Sequence, residues 1–168
     1  MKKNSRRIVV VTLLSQVCLL GAAVPNLAHG DEMHHKDQKM SSHMQAMYVL
    51  KDRIPKEYSL MERTPVVPDT ASLTRGEELY HLQCSVCHGK EGSGGGPAAK
   101  SLKTPPADFL DLEHSQIYGP GEKYWIIGNG TGETGMPAFQ QIDLIDRWHV
   151  VNYIYDLQKR ADAKLQDM

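Results

Sequence analysis

The sequence predicts an all-α fold, and three observations carry that expectation. Apolar residues recur at helical spacing in two separated stretches, one through Gly76, Leu79, Tyr80 and Gln83 and one through Leu144, Trp148, Val151 and Ile154 or Tyr155. No run alternates polar and apolar residues as a half-buried strand would. No segment repeats. With 168 residues, 40% of them hydrophobic and 23% charged, the chain suits one small domain with extensions.

The first thirty residues read as a secretory signal. Lys2, Lys3, Arg6 and Arg7 precede an apolar run from Ile8 to about Val24, Pro25 ends it, and Ala28-His29-Gly30 offers small residues for a signal peptidase. The run of about seventeen residues is at the short limit for spanning a bilayer. Membrane association therefore follows only if this segment stays uncleaved. Gln16 and Val17 make a poor lipobox before Cys18, and Ser5-Arg6-Arg7 is a weak twin-arginine hint, so the general secretory route to the periplasm is the expected one. Cleavage leaves 15 basic and 20 acidic residues, a net charge of −5, which disfavours nucleic-acid partners. It also leaves two cysteines, Cys84 and Cys87.

Residues 31–71 read as a His/Met-rich tail followed by a connector. One or two helical turns fit Ser42 to about Asp52, and prolines 55, 65 and 68 point to extended chain from Ile54 to Asp69. Residues 72–157 are the expected compact domain and 158–168 a charged end. Thr74-Arg75-Gly76-Glu77 has the form of a capping box opening the first domain helix, which runs into Cys84. Gly89–Gly96 and Pro105-Pro106 mark loops, Glu122–Ile127 a short helix, and Asp143–Leu157 the last helix.

Cys84-Ser85-Val86-Cys87-His88 carries the chemistry. Two thiols three positions apart on a helical turn can add to the two vinyl groups of one porphyrin, and the next residue then aims its imidazole at the iron. Three rival readings make different demands. Zinc needs further ligands from His81, His88 or His114, a redox dithiol needs a strand–helix–strand setting, and a disulfide needs the two thiols to pair with each other. Gly135-Met136-Pro137-Ala138-Phe139 offers a stiff turn able to present a thioether as the second axial ligand. Met136 is the one methionine after His88 inside the domain; the plain alternative is core filling.

Gly76–Tyr80, Cys84–Gly89, Gly96-Pro97-Ala98-Ala99, Pro105-Pro106-Ala107-Asp108-Phe109, Gly135–Phe139 and Trp148–Ile154 together resemble a class I c-type cytochrome of the small bacterial monohaem type. The resemblance spans about residues 72–157. It implies three to five short helices around one covalently attached haem c, with the first and last helices crossing and a haem edge exposed to redox partners. It places Gly76 and Tyr80 against Val150 and Tyr153. It also places Pro97 where a proline carbonyl accepts the ligand histidine's other ring proton, and sets Trp125 and Tyr124 beside the haem edge or in the ordinary core. The function implied is electron carriage rather than catalysis, either as a shuttle or as the cytochrome subunit of a redox complex. The competing classes are a haem enzyme or sensor with a displaceable Met136, and a copper-handling protein. The latter rests on Met33, His34, His35, Met40, His43, Met44 and Met47, since imidazole and thioether both ligate copper. A solvated linker, or docking of Met44, Met47 and Tyr48 on the core or on a partner, accounts for the same composition.

Overall fold

The computed structural model describes residues 41–132 and 135–166; the signal segment and Met33, His34, His35 and Met40 of the tail lie outside them. Seven α-helices follow one another among the described residues, and no strand occurs there. They are α1 (Ser42–Arg53), α2 (Lys56–Ser59), α3 (Thr70–Gln83), α4 (Ser85–His88), α5 (Leu112–Ser115), α6 (Pro120–Asn129) and α7 (Leu144–Gln166), with one 3₁₀ turn at Ala99–Ser101. No helix among the described residues is long and apolar enough to cross a membrane.

The core is the crossing of α3 over α7, with α6 packed beside it. Tyr80, Val150 and Val151 are fully enclosed, and Leu79, Trp148, Tyr153, Ile154 and Leu157 surround them. Gly76 makes the close approach possible: a Cβ there would stand 2.8 Å from Tyr153 Cβ and press on the His149 carbonyl. Tyr80 and Tyr153 then meet with ring centroids 5.3 Å apart. The helices are also pinned by polar groups. Asn152 donates to Ser72 Oγ at 2.9 Å, Ser72 Oγ lies 2.8 Å from His149 Nδ1, and Arg75 grips Asp146 with two nitrogens.

Several elements differ from expectation, α6 among them, which spans Pro120–Asn129. Helix α3 opens at Thr70 because Asp69 caps it, accepting the Ser72 amide at 2.8 Å, so Thr74 lies inside the helix. The connector contains one helical turn, α2, since Pro55 at its start removes an N–H that has no intrahelical partner there. Helix α7 continues to Gln166, past Leu157, without interruption by Gly or Pro.

The described residues before α3 are docked on the domain. Tyr58 stacks on Tyr124 at 6.0 Å, Gly121 donates its amide to Met61 O at 3.3 Å, and Asn152 donates to Val66 O at 3.0 Å. Helix α1 leans on the start of α6. The Tyr118 hydroxyl donates to Met47 O at 2.8 Å, and Lys51 Nζ lies 3.0 Å from the enclosed Glu122 carboxylate. Met44 and Met47 are half-buried and Tyr48 is exposed. Of these three residues, Met47 meets the body of the domain, and it does so through its main-chain carbonyl.

The Gly76 contact sets a stability test. Gly76→Ala is expected to cost about 1–3 kcal/mol, the usual penalty of overpacking a close-packed interface, and to appear as a lower Tm of the protein.

Candidate haem site

Helix α3 delivers its end to the chemistry. Cys84 is at once the C-cap of α3 and the N-cap of α4; its amide donates to Tyr80 O at 2.8 Å. Cys87 and His88 donate their amides back to Cys84 O at 3.1 and 2.9 Å, closing a helical turn. The two thiols therefore stand on one turn, Cys84 buried and Cys87 half-buried, and neither is in a disulfide. Burial, with Cys87 nearby, pushes the Cys84 thiol up to about 12, so it stays protonated at neutral pH.

His88 is buried, and two contacts orient its imidazole. Its Nδ1 lies 3.0 Å from the Ala107 carbonyl, and its ring stacks on Phe109 with centroids 4.7 Å apart and planes 16° apart. Burial lowers its pKa, against a smaller raising effect of the Ala107 carbonyl; the ring is thus neutral at pH 7. A neutral ring facing a carbonyl through Nδ1 carries its proton there. Nε2, which has no hydrogen bond among the described residues, is left as the metal-binding lone pair. The carbonyl that Nδ1 meets in the structure is that of Ala107. Pro97 sits exposed in the turn before Ala99–Ser101, and the neighbouring amides of Gly96 and Ala98 are spent on Cys87 O (3.0 Å) and Val86 O (2.9 Å).

Those two bonds belong to a wrap around α4. Gly94 donates to His88 O at 2.8 Å, Phe109 to Gly92 O at 2.7 Å, and the Tyr80 hydroxyl to Gly89 O at 2.8 Å. Gly89, Gly92 and Gly94 hold φ of 79°, 85° and 74°, a region that favours glycine.

The Met136 turn hangs from the end of α6. Gly130, at φ 71°, closes the helix onto Ile126 O, and Phe139 donates to Ile127 O at 2.9 Å. Thr131 clasps the methionine from both sides: its amide donates to Met136 O and its hydroxyl accepts the Met136 amide, each at 3.1 Å. Met136 is half-buried against the core cluster. Trp125 is half-buried on α6 and belongs to none of the packed aromatic pairs among the described residues. Tyr124 is a core residue, stacked on Trp148 at 4.2 Å.

Two free thiols, a neutral imidazole with an open Nε2 and a thioether on a stiff turn are donor types that fit a haem c. Residues 71–154 match the family described as cytochrome C oxidase, cbb3-type, subunit III, a class I c-type cytochrome domain. The chain belongs to that family. A domain of this family implies haem c and electron transfer, in agreement with the donor set. One chain of the Kuenenia stuttgartiensis reducing HAO-like protein complex is 27% identical to this chain, with a TM-score of 0.49. That match covers 55% of this chain and 46% of the other, so the cytochrome chain spans about half the length of that relative. No curated protein matches.

Ala107, Phe109 and Thr131 had no assigned role in the sequence. Ala107 acts through its carbonyl and leaves no side-chain signal, and Phe109 lies in the Pro105–Phe109 motif without a chemistry of its own.

The wrap around α4 yields a paired test. A Cβ on Gly96 would stand 2.7 Å from the Cys87 carbonyl oxygen, whereas one on Gly95 meets nothing nearer than Ser93 Oγ at 3.6 Å. Gly96→Ala is expected to lower haem loading several-fold, measured as Soret absorbance per chain, while Gly95→Ala loads normally.

Proposed function

We propose that this chain is an exported carrier of single electrons, holding one haem c through Cys84 and Cys87 with His88 and Met136 as axial ligands. It acts in the periplasm, as a shuttle or as the cytochrome subunit of a larger redox complex. The observation that carries the reading is the α3–α4 junction. Two unpaired thiols share one helical turn with an imidazole whose Nδ1 is already committed to Ala107.

When bound, the haem supplies a one-electron couple. The chain's own residues do the rest. The Ala107 carbonyl and the Phe109 ring hold the His88 imidazole in one tautomer and one orientation, so little reorganises when the charge changes. The Thr131 clasp does the same for the Met136 backbone. Enclosure among Leu79, Tyr80, Trp148 and Ile154 keeps the neighbourhood of low dielectric. With His88 and Met136 both holding the iron, no position would be left open for substrate chemistry. Leu82 and Val86, either side of Cys84, are exposed at 73% and 50%. Apolar residues at the attachment turn favour docking of a redox partner through a small, short-lived interface.

Two measurements test this. An alkaline pyridine spectrum with an intact-protein mass is expected to report one c-type haem per chain and loss of the signal segment; a colourless mature chain would overturn the reading. Met136→Ala is expected to lower the midpoint potential and abolish the near-infrared sulfur-to-iron band of the ferric protein, since Met ligation raises the potential. Thr131→Val should weaken that band and lower the potential by less, with Thr131→Ser restoring both. Rapid carbon monoxide binding by the reduced wild type at neutral pH would point instead to a displaceable Met136.

A further inference from the structure

Helix α1 lies along residues 114–122 in a register of three rungs. Met47 O takes the Tyr118 hydroxyl at 2.8 Å and Lys51 pairs with Glu122 at 3.0 Å, each pair 71 residues apart in sequence. His43, one turn before Met47, meets His114 at the same offset, with ring centroids 5.9 Å apart and planes at 51°. Residues 43, 47 and 51 fall on one face of a helix, so the two imidazoles are brought together by the docking of the whole element.

His114 is held in one orientation by Asp111. Its Nδ1 lies 2.5 Å from Asp111 Oδ2, while its own amide donates to Asp111 Oδ1 at 3.3 Å. A carboxylate on one ring nitrogen fixes the tautomer and leaves the other nitrogen as the more basic donor. An imidazole bound at about 2.0–2.1 Å puts its centroid about 3.2 Å from the ion, so two rings sharing one ion lie at most about 6.4 Å apart. The observed pair falls inside that limit.

We propose that His43 and His114 together bind one divalent transition-metal ion, Cu²⁺ most tightly, with Asp111 orienting His114. Among the described residues no three His, Cys, Asp or Glu side chains are placed to hold an ion, so the two imidazoles are the protein ligands here and water fills the other positions. Copper heads the affinity order of divalent first-row metals for nitrogen donors. The ion would staple the first turn of α1 to the body at the one rung that has no hydrogen bond or salt bridge of its own. The site shares no residue with the attachment turn or the Met136 loop, and so stands or falls independently of the axial ligation.

The test titrates Cu²⁺ into the ferric haem-loaded protein, following binding by calorimetry and ligand nitrogens by electron paramagnetic resonance. One ion per chain with two imidazole nitrogens is expected. His43→Ala and His114→Ala should each weaken binding at least tenfold, and Asp111→Asn by about tenfold. The double variant His34→Ala/His35→Ala should stay within twofold of wild type. Zn²⁺, a redox-silent probe, should slow amide exchange in the first turn of α1, with the Soret spectrum unchanged. Unaltered affinity in either His43→Ala or His114→Ala overturns the site. Loss of binding in the His34/His35 variant also overturns it and moves the metal to the tail.

Discussion

The holding of the Cys84–His88 turn traces to how closely α3 and α7 cross. Gly76 has no side chain to hold the helices apart, so Tyr80, one turn further on, is driven fully into the interface. From there its hydroxyl reaches Gly89 O at 2.8 Å, beyond the far end of α4. Crossing, tyrosine and attachment turn are thus one mechanical unit. The interhelical distance, set at Gly76, fixes how the Cys84–His88 turn is presented. The exposed Arg75–Asp146 pair sits beside this crossing but contributes little to it, because ion pairs in water are weak. Burial of the aromatic and branched side chains does most of the stabilising.

The site is held largely by main-chain groups. Carbonyls of Val86, Cys87 and His88 are capped by amides of the glycine-rich loop, and the His88 ring is oriented by a carbonyl. Such a design needs φ values that side chains resist, which accounts for the glycines between α4 and the 3₁₀ turn. It also suits a small domain. Fewer than ninety residues match the family, and a core of that size benefits from a large apolar cofactor. Burial disfavours protonation of His88, so the enclosure that stabilises the fold also keeps the imidazole in the form a metal would need.

These features explain what the sequence could and could not disclose. The Cys84–His88 motif and the Met136 turn could be singled out because both show as side chains at a characteristic spacing or in a characteristic turn, and the structure sets the two thiols and the imidazole on one helical turn. The crossing was legible at Gly76, where an absent side chain is itself a signal. The orienting carbonyl was not: every residue has one, so Pro97 was a natural expectation, and only the fold of the 105–109 segment selects Ala107. The start of α3 was misplaced for a related reason. Thr74–Glu77 has capping-box form, but Asp69 after Pro68 already captures the Ser72 amide and the helix begins there. The docking of α1 was open to guesswork only, since its rungs join residues 71 positions apart.

That docking bears on how the 42–69 extension and the cytochrome domain depend on each other. Glu122 is only 2% exposed, and one of its oxygens, Oε1, has no hydrogen-bond partner. A carboxylate so enclosed is expensive to keep charged unless other groups share the charge. Oε2 takes the Gly119 amide at 2.7 Å, in capping-box fashion, and Lys51 from α1 brings the opposite charge. Lys123, next in sequence, is turned away to the Ser115 and Tyr118 carbonyls, and burial brings it down to about 8. Lys51 thus supplies the one salt bridge that Glu122 makes among the described residues. Helix α6, which carries the Met136 turn at its far end, is therefore stabilised at its near end by a residue outside the family match. Displacing α1 would leave the Glu122 carboxylate to the Gly119 amide alone, so the helix from which Met136 hangs is energetically tied to the extension.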